Sequence, residues 1–594
     1  MANGQREWQR GWADYVLFHG LTPIAVVEAK RENVNVSGKI PQAEGYSRGF
    51  QIEPPLKAAF ELAGRSEPWS DGMGGHYMVP FVYSCNGRPY VPQIKEQSGI
   101  WFRDVRMPGN IKRALPQFHT PKGLKDLLDR SREDAEKVLQ SESYHYLNLR
   151  DYQQKAIAAV ENTLSKEIRT AMLAMATGTG KTRTVLGLMY RFLKSERFKR
   201  ILFLVDRTAL GKQANDTFME ARLEQNQSLT QIYKVLEMKD IQVEDETRVQ
   251  TATVQAMVQR IFASDNPPPI DQYDCIIIDE AHRGYTLDQE MTEGEMTTRD
   301  AAQYLSSYRR VLDYFDAVKI GLTATPAAHT KDIFGPPVYT YSYREAVADD
   351  WLIDYEPPIR YITKLAQEGI RFNEGETVSV INTQTGEVAQ EDLKDELNFE
   401  IEAFNRRVIN ESFNRVICDE LVTELDPLGE EKTMIFCATD KHADMVKRLL
   451  DEAFARELGT TYNEAAVTKI TGESTNPLEL IKQFKNERYP NIAITVDLLT
   501  TGIDVPEICN LVFMRRVKSR ILFEQMIGRA TRRCDEIGKT VFRIYDPVDI
   551  FAAFDRENKN ANSMKPLVKD PNITLEQQQF PMNPEALLPH DVQR

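Results

Sequence analysis

One stretch, Met175-Ala-Thr-Gly-Thr-Gly-Lys-Thr182, constrains the fold more than any other part of this 594-residue chain. An apolar run ends at its first residue, and a helix-like run, residues 185–193, follows it. A buried strand, a glycine-rich turn and a helix start form a phosphate cradle, because glycines let backbone N–H groups approach the anion and the helix dipole faces it. The residues expected at the phosphates and their Mg²⁺ are Thr177, Gly178, Thr179, Gly180, Lys181 and Thr182. Lys181 would supply a mobile positive charge, and Thr182 would hold the Mg²⁺.

Composition narrows the class of protein. With 42% hydrophobic and 27% charged residues, a chain of this length predicts three or four folded domains of ~100–200 residues each. The net charge of −14 means that any contact with nucleic acid uses local basic patches. Six cysteines without C-x-x-C spacing indicate reduced thiols and no zinc module. Because no apolar run approaches ~18–20 residues and no signal peptide is present, we expect a cytoplasmic protein.

The N-terminal region predicts a hairpin of two strands, residues 13–18 and 24–30. Symmetry about Leu21 places Asp14 opposite Glu28, and Lys30 shares a face with Glu28 because side chains two apart project the same way. Opposed carboxylates ~4.5–5.5 Å apart repel unless a cation bridges them. We therefore expect Asp14 and Glu28 to bind Mg²⁺, while Lys30 orients or activates the attacking water.

Gln42 and Tyr46 then lie on one face of a predicted helix at i, i+4 spacing. The residues Asp14, Glu28, Lys30, Gln42 and Tyr46, in this order, resemble the PD-(D/E)xK nuclease core in its version with Q-x-x-x-Y, which implies catalytic roles for all five. A solvated sheet edge is the alternative. That family usually carries a helical segment with another acidic residue upstream. Here only about a dozen residues precede the first aspartate, so either the chain is clipped or Glu7 fills a reduced version of that role.

A second group of residues extends the phosphate cradle. The apolar run Cys275-Ile-Ile-Ile278 ends in Asp279-Glu-Ala-His282, and carboxylates at the end of a buried parallel strand lie beside the phosphate loop. Asp279 is expected to coordinate Mg²⁺ and Glu280 to orient the water that attacks the γ-phosphate. His282 would couple the nucleotide state to the rest of the motor. Upstream, Gln153 is expected to recognise the adenine edge with its paired donor and acceptor.

These motifs, followed by Thr323-Ala-Thr-Pro326, resemble superfamily 2 helicases and translocases. The resemblance continues into a second lobe, where residues 500–506 are similar to motif V and Gln525-Met-Ile-Gly-Arg-Ala-Thr-Arg532 to motif VI. It implies that Asp504 serves nucleotide binding and that Arg529 and Arg532 act as arginine fingers. Two lobes with ATP between them would grip nucleic acid mainly through phosphates, independently of sequence. The stretches expected to make these contacts are residues 206–208, 251–255 and 500–501.

The predicted fold class is α/β, with a PD-(D/E)xK endonuclease-like domain followed by two RecA-like parallel-sheet domains. The expected segments are a nuclease-like domain with its connector at 1–140, motor lobe 1 at 141–350, motor lobe 2 at 351–555, and a tail or the start of a further domain at 556–594. Within them we expect a core strand at 77–83, a helical connector at 123–139, an exposed insertion at 286–300 and a strand pair at 369–386.

A nuclease placed before such a motor resembles the restriction and motor subunit of type I restriction–modification enzymes. The resemblance implies ATP and Mg²⁺ as cofactors, double-stranded DNA as substrate, and methyltransferase and specificity subunits as partners, with S-adenosylmethionine bound by those partners. It implies ATP-driven pulling of duplex DNA before a distant double-strand cut. Because that family continues into a C-terminal helical region, we expect the chain to be a fragment. The alternatives are a standalone repair or phage-defence helicase–nuclease, and a DNA-remodelling ATPase with an inert N-terminal domain.

Overall fold

The computed structural model describes most of the chain from residue 13 to residue 551. The described residues are 13–92, 94–205, 208–238, 242–281, 308–326, 328–361, 370–372, 377–381, 388–392, 397–399, 410–496, 505–517 and 520–551. They divide into two compact units, the first with the described residues up to Ala174 and those within 181–284 and 302–340, the second with 175–180 and those from Tyr341 onward. Several predictions lie outside the described residues: Glu7, His282, Asp504, and residues 206–207, 286–300, 500–501 and 556–594.

The first unit opens with a small mixed sheet. In chain order its region contains β1 (Tyr15–His19), β2 (Thr22–Ala29), β3 (Trp69–Ser70), β4 (His76–Tyr77), β5 (Phe81–Cys85), β6 (Ile100–Asp104) and β7 (Arg113–Ala114). Five of them form a sheet in the order β1-β2-β5-β6-β7, while β3 and β4 pair separately. β2 runs parallel to β5, and the other three pairs are antiparallel. The expected core strand begins at Phe81, later than predicted, because Pro80 has no N–H to donate to the ladder.

Helices cover this sheet and lead away from it. They are α1 (Ile40–Gly49), α2 (Ala59–Leu62), α3 (Pro121–Asp129) and α4 (Arg132–Ser141). The prediction of one connecting helix over 123–139 is wrong, because the segment contains two helices. Each has its own N-cap: the Thr120 side chain accepts from the backbone of Gly123, and the Ser131 side chain accepts from the backbone of Asp134. Such caps favour a new helix start.

A seven-stranded sheet follows in the same unit. Its strands are β8 (Thr170–Met175), β9 (Ile201–Val205), β10 (Lys234–Leu236), β11 (Thr247–Thr253), β12 (Cys275–Ile278), β13 (Val318–Thr323) and β14 (Tyr339–Tyr341), in the order β10-β11-β9-β12-β13-β8-β14. The helices are α5 (Asp151–Ser165), α6 (Lys181–Lys194), α7 (Thr208–Glu220), α8 (Leu229–Ile232), α9 (Val254–Phe262) and α10 (Ala328–Phe334). β9 and β12 are buried at every residue, as expected of strands covered on both faces. The pairs from β10 through β8 are parallel, as predicted.

The second unit is built on a six-stranded sheet. Its principal elements are α11 (Tyr343–Ala348), β15 (Ile359–Arg360), β16 (Ile370–Phe372), β17 (Thr377–Ile381), β18 (Val388–Asp392), β19 (Leu397–Phe399), α12 (Glu411–Glu424), β20 (Lys432–Phe436), α13 (Asp440–Leu458), β21 (Val467–Lys469), α14 (Pro477–Asn486), β22 (Ile492–Thr495), β23 (Ile508–Phe513), α15 (Arg520–Ile527) and β24 (Arg543–Asp546). The sheet order is β15-β24-β23-β20-β22-β21, with every pair parallel.

The predicted strand pair at 369–386 needs correction. β16 pairs with β19, and β17 pairs with β18, so the two strands inside 369–386 have their partners further along the chain. No helix among the residues placed in the structure is both long and apolar enough to cross a lipid bilayer.

Candidate nuclease and nucleotide sites

The first hairpin brings the two predicted metal-binding carboxylates to one strand end. Tyr15 pairs with Val27, which puts Asp14 next to the partner position of Glu28, as the symmetric hairpin predicts. The Oδ2 atom of Asp14 accepts a hydrogen bond of 2.8 Å from the backbone N–H of Ala29. The strand register shifts by one residue at a bulge between residues 17 and 18, nearer the turn. The register at the acidic end is therefore the one that a bridging cation requires.

Glu28 is buried in a largely apolar strand, with 1% of its surface exposed. Its Oε1 atom is paired with the ammonium group of Lys30. Its Oε2 atom is buried and has no hydrogen-bond partner among the residues that the structure describes. A buried charged oxygen is costly without a partner, and a divalent cation with oxygen ligands would supply one. The donor set of Asp14 and Glu28 therefore fits Mg²⁺.

No third carboxylate, histidine or cysteine completes a metal-binding group with these two in the described part of the chain. The charge of Asp14 also affects the pKa of Cys85, the last residue of β5. Burial raises the pKa of the Cys85 thiol, and the carboxylate of Asp14 raises it further.

Helix α1 carries the predicted Gln42 and Tyr46, and the two side chains are joined as their spacing predicts. The Nε2 atom of Gln42 donates to the Oη atom of Tyr46 at 2.7 Å. The same helix is tied to the sheet by Arg103 of β6, whose guanidinium donates to Glu44 at 2.6 Å. The catalytic roles of Gln42 and Tyr46 stay predictions.

The phosphate loop has the predicted strand–turn–helix form. It follows β8 directly, and α6 begins at Lys181 with Thr182 in its first turn. Gly178 and Gly180 have φ values of +87° and +77°, a region that favours glycine because it lacks a Cβ. The Thr179 hydroxyl donates to the backbone oxygen of Ala176 at 2.7 Å, which closes the turn.

Within the first unit, the carboxylates after β12 lie beside the lysine of this motif. The Nζ atom of Lys181 is 3.9 Å from Oε1 of Glu280. Glu280 has a φ of +50°, and its backbone N–H donates to Oδ1 of Asp279 at 2.9 Å. A left-handed conformation in a non-glycine residue costs about 1–3 kcal/mol and concentrates at functional sites. Asp279 and Glu280 thus occupy the carboxyl end of the sheet, as predicted.

The side chain of Gln153 is buried and makes a hydrogen bond within its own helix start. It is 2% exposed, and its Oε1 atom accepts from the backbone N–H of Arg150 at 3.0 Å. This bond supports the start of α5 and uses one of the two acceptor positions of the amide oxygen. The adenine role of Gln153 stays a prediction.

In the second unit, two loop residues lie against motif VI. A Cβ atom added to Gly528 would be 2.8 Å from the Cβ of Thr177, so this close approach requires glycine. A Cβ on Gly178 would lie 3.8 Å from the Cγ of Arg532. Arg529 donates from Nε to the backbone oxygen of Gln525 at 3.2 Å. The arginine-finger roles of Arg529 and Arg532 stay predictions.

Sequence reasoning missed a charged cluster that joins the five-stranded sheet to the seven-stranded sheet. Both oxygens of Asp316 accept from Arg113, at 2.5 and 2.6 Å. Asp316 also accepts from Arg169 at 2.9 Å and lies 2.8 Å from Nε2 of His119. The other ring nitrogen of His119 is 2.6 Å from the hydroxyl of Tyr83 on β5. The signal was invisible because the partners are 197 and 203 residues apart in the sequence.

Other aspartates repeat this arrangement at the same edge. Asp271 accepts from the backbone and hydroxyl of Thr120, Asp274 pairs with Arg130, and Asp313 pairs with Lys95. These aspartates all precede β12 or β13, whereas Glu280 follows β12. The five-stranded sheet and its helices therefore contact the amino-terminal edge of the seven-stranded sheet, opposite the edge that carries Asp279 and Glu280.

Family models match three successive parts of the chain. Residues 1–128 match the family model described as the second domain of the type I restriction enzyme EcoKI endonuclease subunit. Residues 146–328 match the res subunit of type III restriction enzymes, and residues 414–534 match the helicase conserved C-terminal domain.

Individual relatives extend over nearly the whole chain. The type I restriction enzyme EcoKI endonuclease subunit of Escherichia coli K12 is 46% identical over 96% of this chain and 49% of its own length. The EcoAI endonuclease subunit of Escherichia coli is 30% identical over 90% of this chain and 59% of its own length. A fragment structure of an HsdR subunit of a type I restriction enzyme from Vibrio vulnificus YJ016 shares the fold, with a TM-score of 0.50 and 24% identity over 92% of this chain and 84% of that one.

The chain spans about half the length of the curated relatives that it matches. Three findings point to the same kind of relative: the order of the family matches, the shared α/β fold, and the identity to two endonuclease subunits. The chain is similar to the endonuclease subunits of type I restriction enzymes.

Proposed function

We propose that this chain couples ATP-dependent DNA translocation to Mg²⁺-dependent endonucleolytic cleavage of double-stranded DNA. The observation that carries the proposal is that one chain brings together two groups of candidate site residues. One is the group of Asp14, Glu28 and Lys30 at the end of the first hairpin. The other is the pairing of Lys181 with Glu280 at the phosphate loop. ATP and Mg²⁺ are the proposed cofactors, and methyltransferase and specificity subunits are the proposed partners, as the similarity to type I restriction enzymes suggests.

In the nuclease site, Asp14 and Glu28 would hold the cation and Lys30 would face the scissile phosphate. Bound Mg²⁺ supplies Lewis-acid polarisation of the phosphate and lowers the pKa of a coordinated water. Lys30, now paired with Glu28, would exchange that partner for the attacking water and stabilise the negative charge that develops on phosphate oxygens. Gln42 and Tyr46 on α1 would orient the DNA backbone or the water.

In the motor site, Lys181 would contact the β- and γ-phosphates, with Thr182 and Asp279 as the residues that hold Mg²⁺. Glu280 would accept a hydrogen bond from the attacking water and align it with the γ-phosphate. Arg529 and Arg532 would stabilise charge on the transferring group, a contribution worth about 10³–10⁵-fold in rate where it has been measured in other proteins.

A nicking assay on supercoiled plasmid with Mg²⁺ tests the nuclease half. Wild type should nick the plasmid, and Glu28→Ala and Lys30→Ala should abolish nicking. Glu32→Ala is the matched control, because that carboxylate is exposed and lies two residues beyond Lys30. Equal nicking by Glu28→Ala and wild type would refute the nuclease assignment and favour a DNA-remodelling ATPase with an inert N-terminal domain.

DNA-stimulated ATP hydrolysis tests the motor half. Lys181→Ala should abolish the hydrolysis because the phosphates lose their lysine contact. Lys212→Ala removes an exposed lysine from α7 and should leave the rate unchanged. Retained hydrolysis in Lys181→Ala would refute this assignment of the nucleotide site.

Adding purified methyltransferase and specificity subunits of a type I enzyme tests the proposed partners. If they are partners, wild type should linearise an unmethylated circular plasmid in an ATP-dependent reaction. Cleavage that is independent of those subunits would favour a standalone helicase–nuclease.

A further inference from the structure

A buried serine stands beside the nuclease carboxylates with its hydroxyl unsatisfied. β5 has the sequence Phe-Val-Tyr-Ser-Cys, in which Ser84 supplies an aliphatic hydroxyl group. The residue is 0% exposed. Its Oγ atom has no hydrogen-bond partner among the residues that the structure describes. Alanine would fill this apolar position without leaving a polar atom unsatisfied, so the serine calls for a reason beyond packing.

The sheet register places this serine next to Glu28. β2 and β5 are parallel, and Glu28 is the register partner of Ser84. Paired residues of neighbouring strands project their side chains to the same face of a sheet. The Oε2 atom of Glu28 is also buried and without a partner in the described chain. Two buried unsatisfied oxygens therefore belong to adjacent side chains on one face.

That face is the one covered by α1. Arg103 is two residues from Trp101 on β6, and Trp101 is the register partner of Ser84, so the side chains of all three project the same way. The guanidinium of Arg103 reaches Glu44 of α1 at 2.6 Å. Tyr83, one residue before Ser84, projects to the opposite face and meets His119. Ser84 thus faces the helix that carries Gln42 and Tyr46, not the docking cluster of Asp316.

We propose that Ser84 is a positioning residue for the divalent cation bound by Asp14 and Glu28, its hydroxyl hydrogen-bonding to the hydrated cation beside Oε2 of Glu28. The inference rests on the proposed nuclease function. A hydrated cation at this place gives a partner to both unsatisfied oxygens, whereas without one both remain unsatisfied. Groups that act on a metal through its ligands or waters typically change metal affinity or activity 10–100-fold when removed.

The test compares Ser84→Ala with Ser84→Thr, which keeps the hydroxyl, and with a matched control. Ser47→Ala is that control, because Ser47 is equally buried on α1 but its hydroxyl already donates to the backbone oxygen of Val79 at 2.6 Å. Binding of Mn²⁺ is measured by electron paramagnetic resonance without nucleotide, and Glu28→Gln defines the signal of the nuclease site. The same variants are assayed for the Mg²⁺ concentration that gives half-maximal nicking, and for thermal unfolding without metal.

Ser84→Ala is expected to weaken Mn²⁺ binding and to raise the half-saturating Mg²⁺ concentration by about 10-fold or more, with nicking at saturating Mg²⁺ less affected. Ser84→Thr should restore most of the affinity. Without metal, Ser84→Ala should unfold at the same temperature as wild type or a higher one, because a buried unsatisfied hydroxyl has been removed. Ser47→Ala should lower the unfolding temperature and leave the metal affinity unchanged.

Three results would overturn the inference, and one of them separates it from the function on which it rests. If Ser84→Ala binds Mn²⁺ with wild-type affinity while Glu28→Gln loses the signal, the role of Ser84 is refuted. The proposed nuclease function is then retained. A lowered unfolding temperature of Ser84→Ala without metal, not restored by threonine, assigns the serine to packing alone. Unchanged Mn²⁺ binding and nicking in Glu28→Gln would remove the proposed nuclease itself, and the role of Ser84 with it.

Discussion

Asp316 is the best single place to test how the five-stranded sheet, the proposed nuclease region, is held on the seven-stranded sheet, the proposed first motor sheet. Its side chain is 6% exposed and faces the half-buried guanidinium of Arg113 and the buried ring of His119. Burial alone would raise the pKa of this carboxyl, but Arg113 and Arg169 hold it well below its usual range. We expect Asp316→Asn to destabilise the first unit while preserving the shape of the side chain.

The size of the destabilisation follows from the arginine charges that lose their carboxylate partner when Asp316 is replaced. Removing one partner of a buried ion pair costs about 3–5 kcal/mol. The pH dependence has a definite sign, because a depressed folded-state pKa stabilises the protein above the pKa of the unfolded chain. The contribution of Asp316 should be complete above about pH 4 and disappear as the pH falls through its lowered folded pKa.

Urea denaturation followed by tryptophan fluorescence measures this effect, since Trp69 and Trp101 lie buried in the nuclease region. Asp245→Asn is the matched control, because Asp245 makes an exposed pair with Lys122; we expect no measurable change there. A difference between Asp316→Asn and wild type below about 0.5 kcal/mol at pH 7 would contradict the docking argument. So would a difference that persists unchanged at the acid end of the pH range.

Three further predictions use other parts of the chain. Gly178→Ala should lower DNA-stimulated ATP hydrolysis at least tenfold without unfolding the protein, because alanine is strained at φ +87° and its Cβ would lie 3.1 Å from Leu352; wild-type hydrolysis would contradict this. Burial lowers the pKa of His442 to about 3, with Arg515 adding to the shift, so the second unit should lose about 2 kcal/mol as the pH falls from 6.5 to 5. His442→Gln should remove that dependence in denaturation curves. Gly123→Ala would put a Cβ 1.6 Å from Oδ2 of Asp271, so limited proteolysis between the nuclease and motor regions should accelerate, and wild-type cleavage kinetics would argue against tight docking there.

The sequence was sufficient for features whose partners are close in the chain. The register of the first hairpin follows from its turn, because a symmetric turn fixes every cross-strand pair, including Asp14 with Glu28. The phosphate loop follows from local glycines that tolerate positive φ values. The parallel sheets follow from uninterrupted apolar runs such as the one ending at Ile278.

Long-range features required the structure. The docking of Asp316 with Arg113 joins residues 203 apart, and no local periodicity encodes such a pair. Ser84 was hidden because a serine within an apolar strand gives no signal until the register puts it beside Glu28. The break between α3 and α4 was in principle readable, since Ser131 is followed three residues later by Asp134, but the amphipathic pattern across it resembles one helix.

The most direct test of the central claim is ATP-dependent linearisation of an unmethylated circular plasmid by the chain with methyltransferase and specificity subunits. Wild type should linearise the plasmid only with ATP. Glu28→Gln should hydrolyse ATP at the wild-type rate and leave the plasmid circular, and Lys181→Ala should do neither. Linearisation by Glu28→Gln at the wild-type rate, or by any of the three proteins without ATP, would contradict the account.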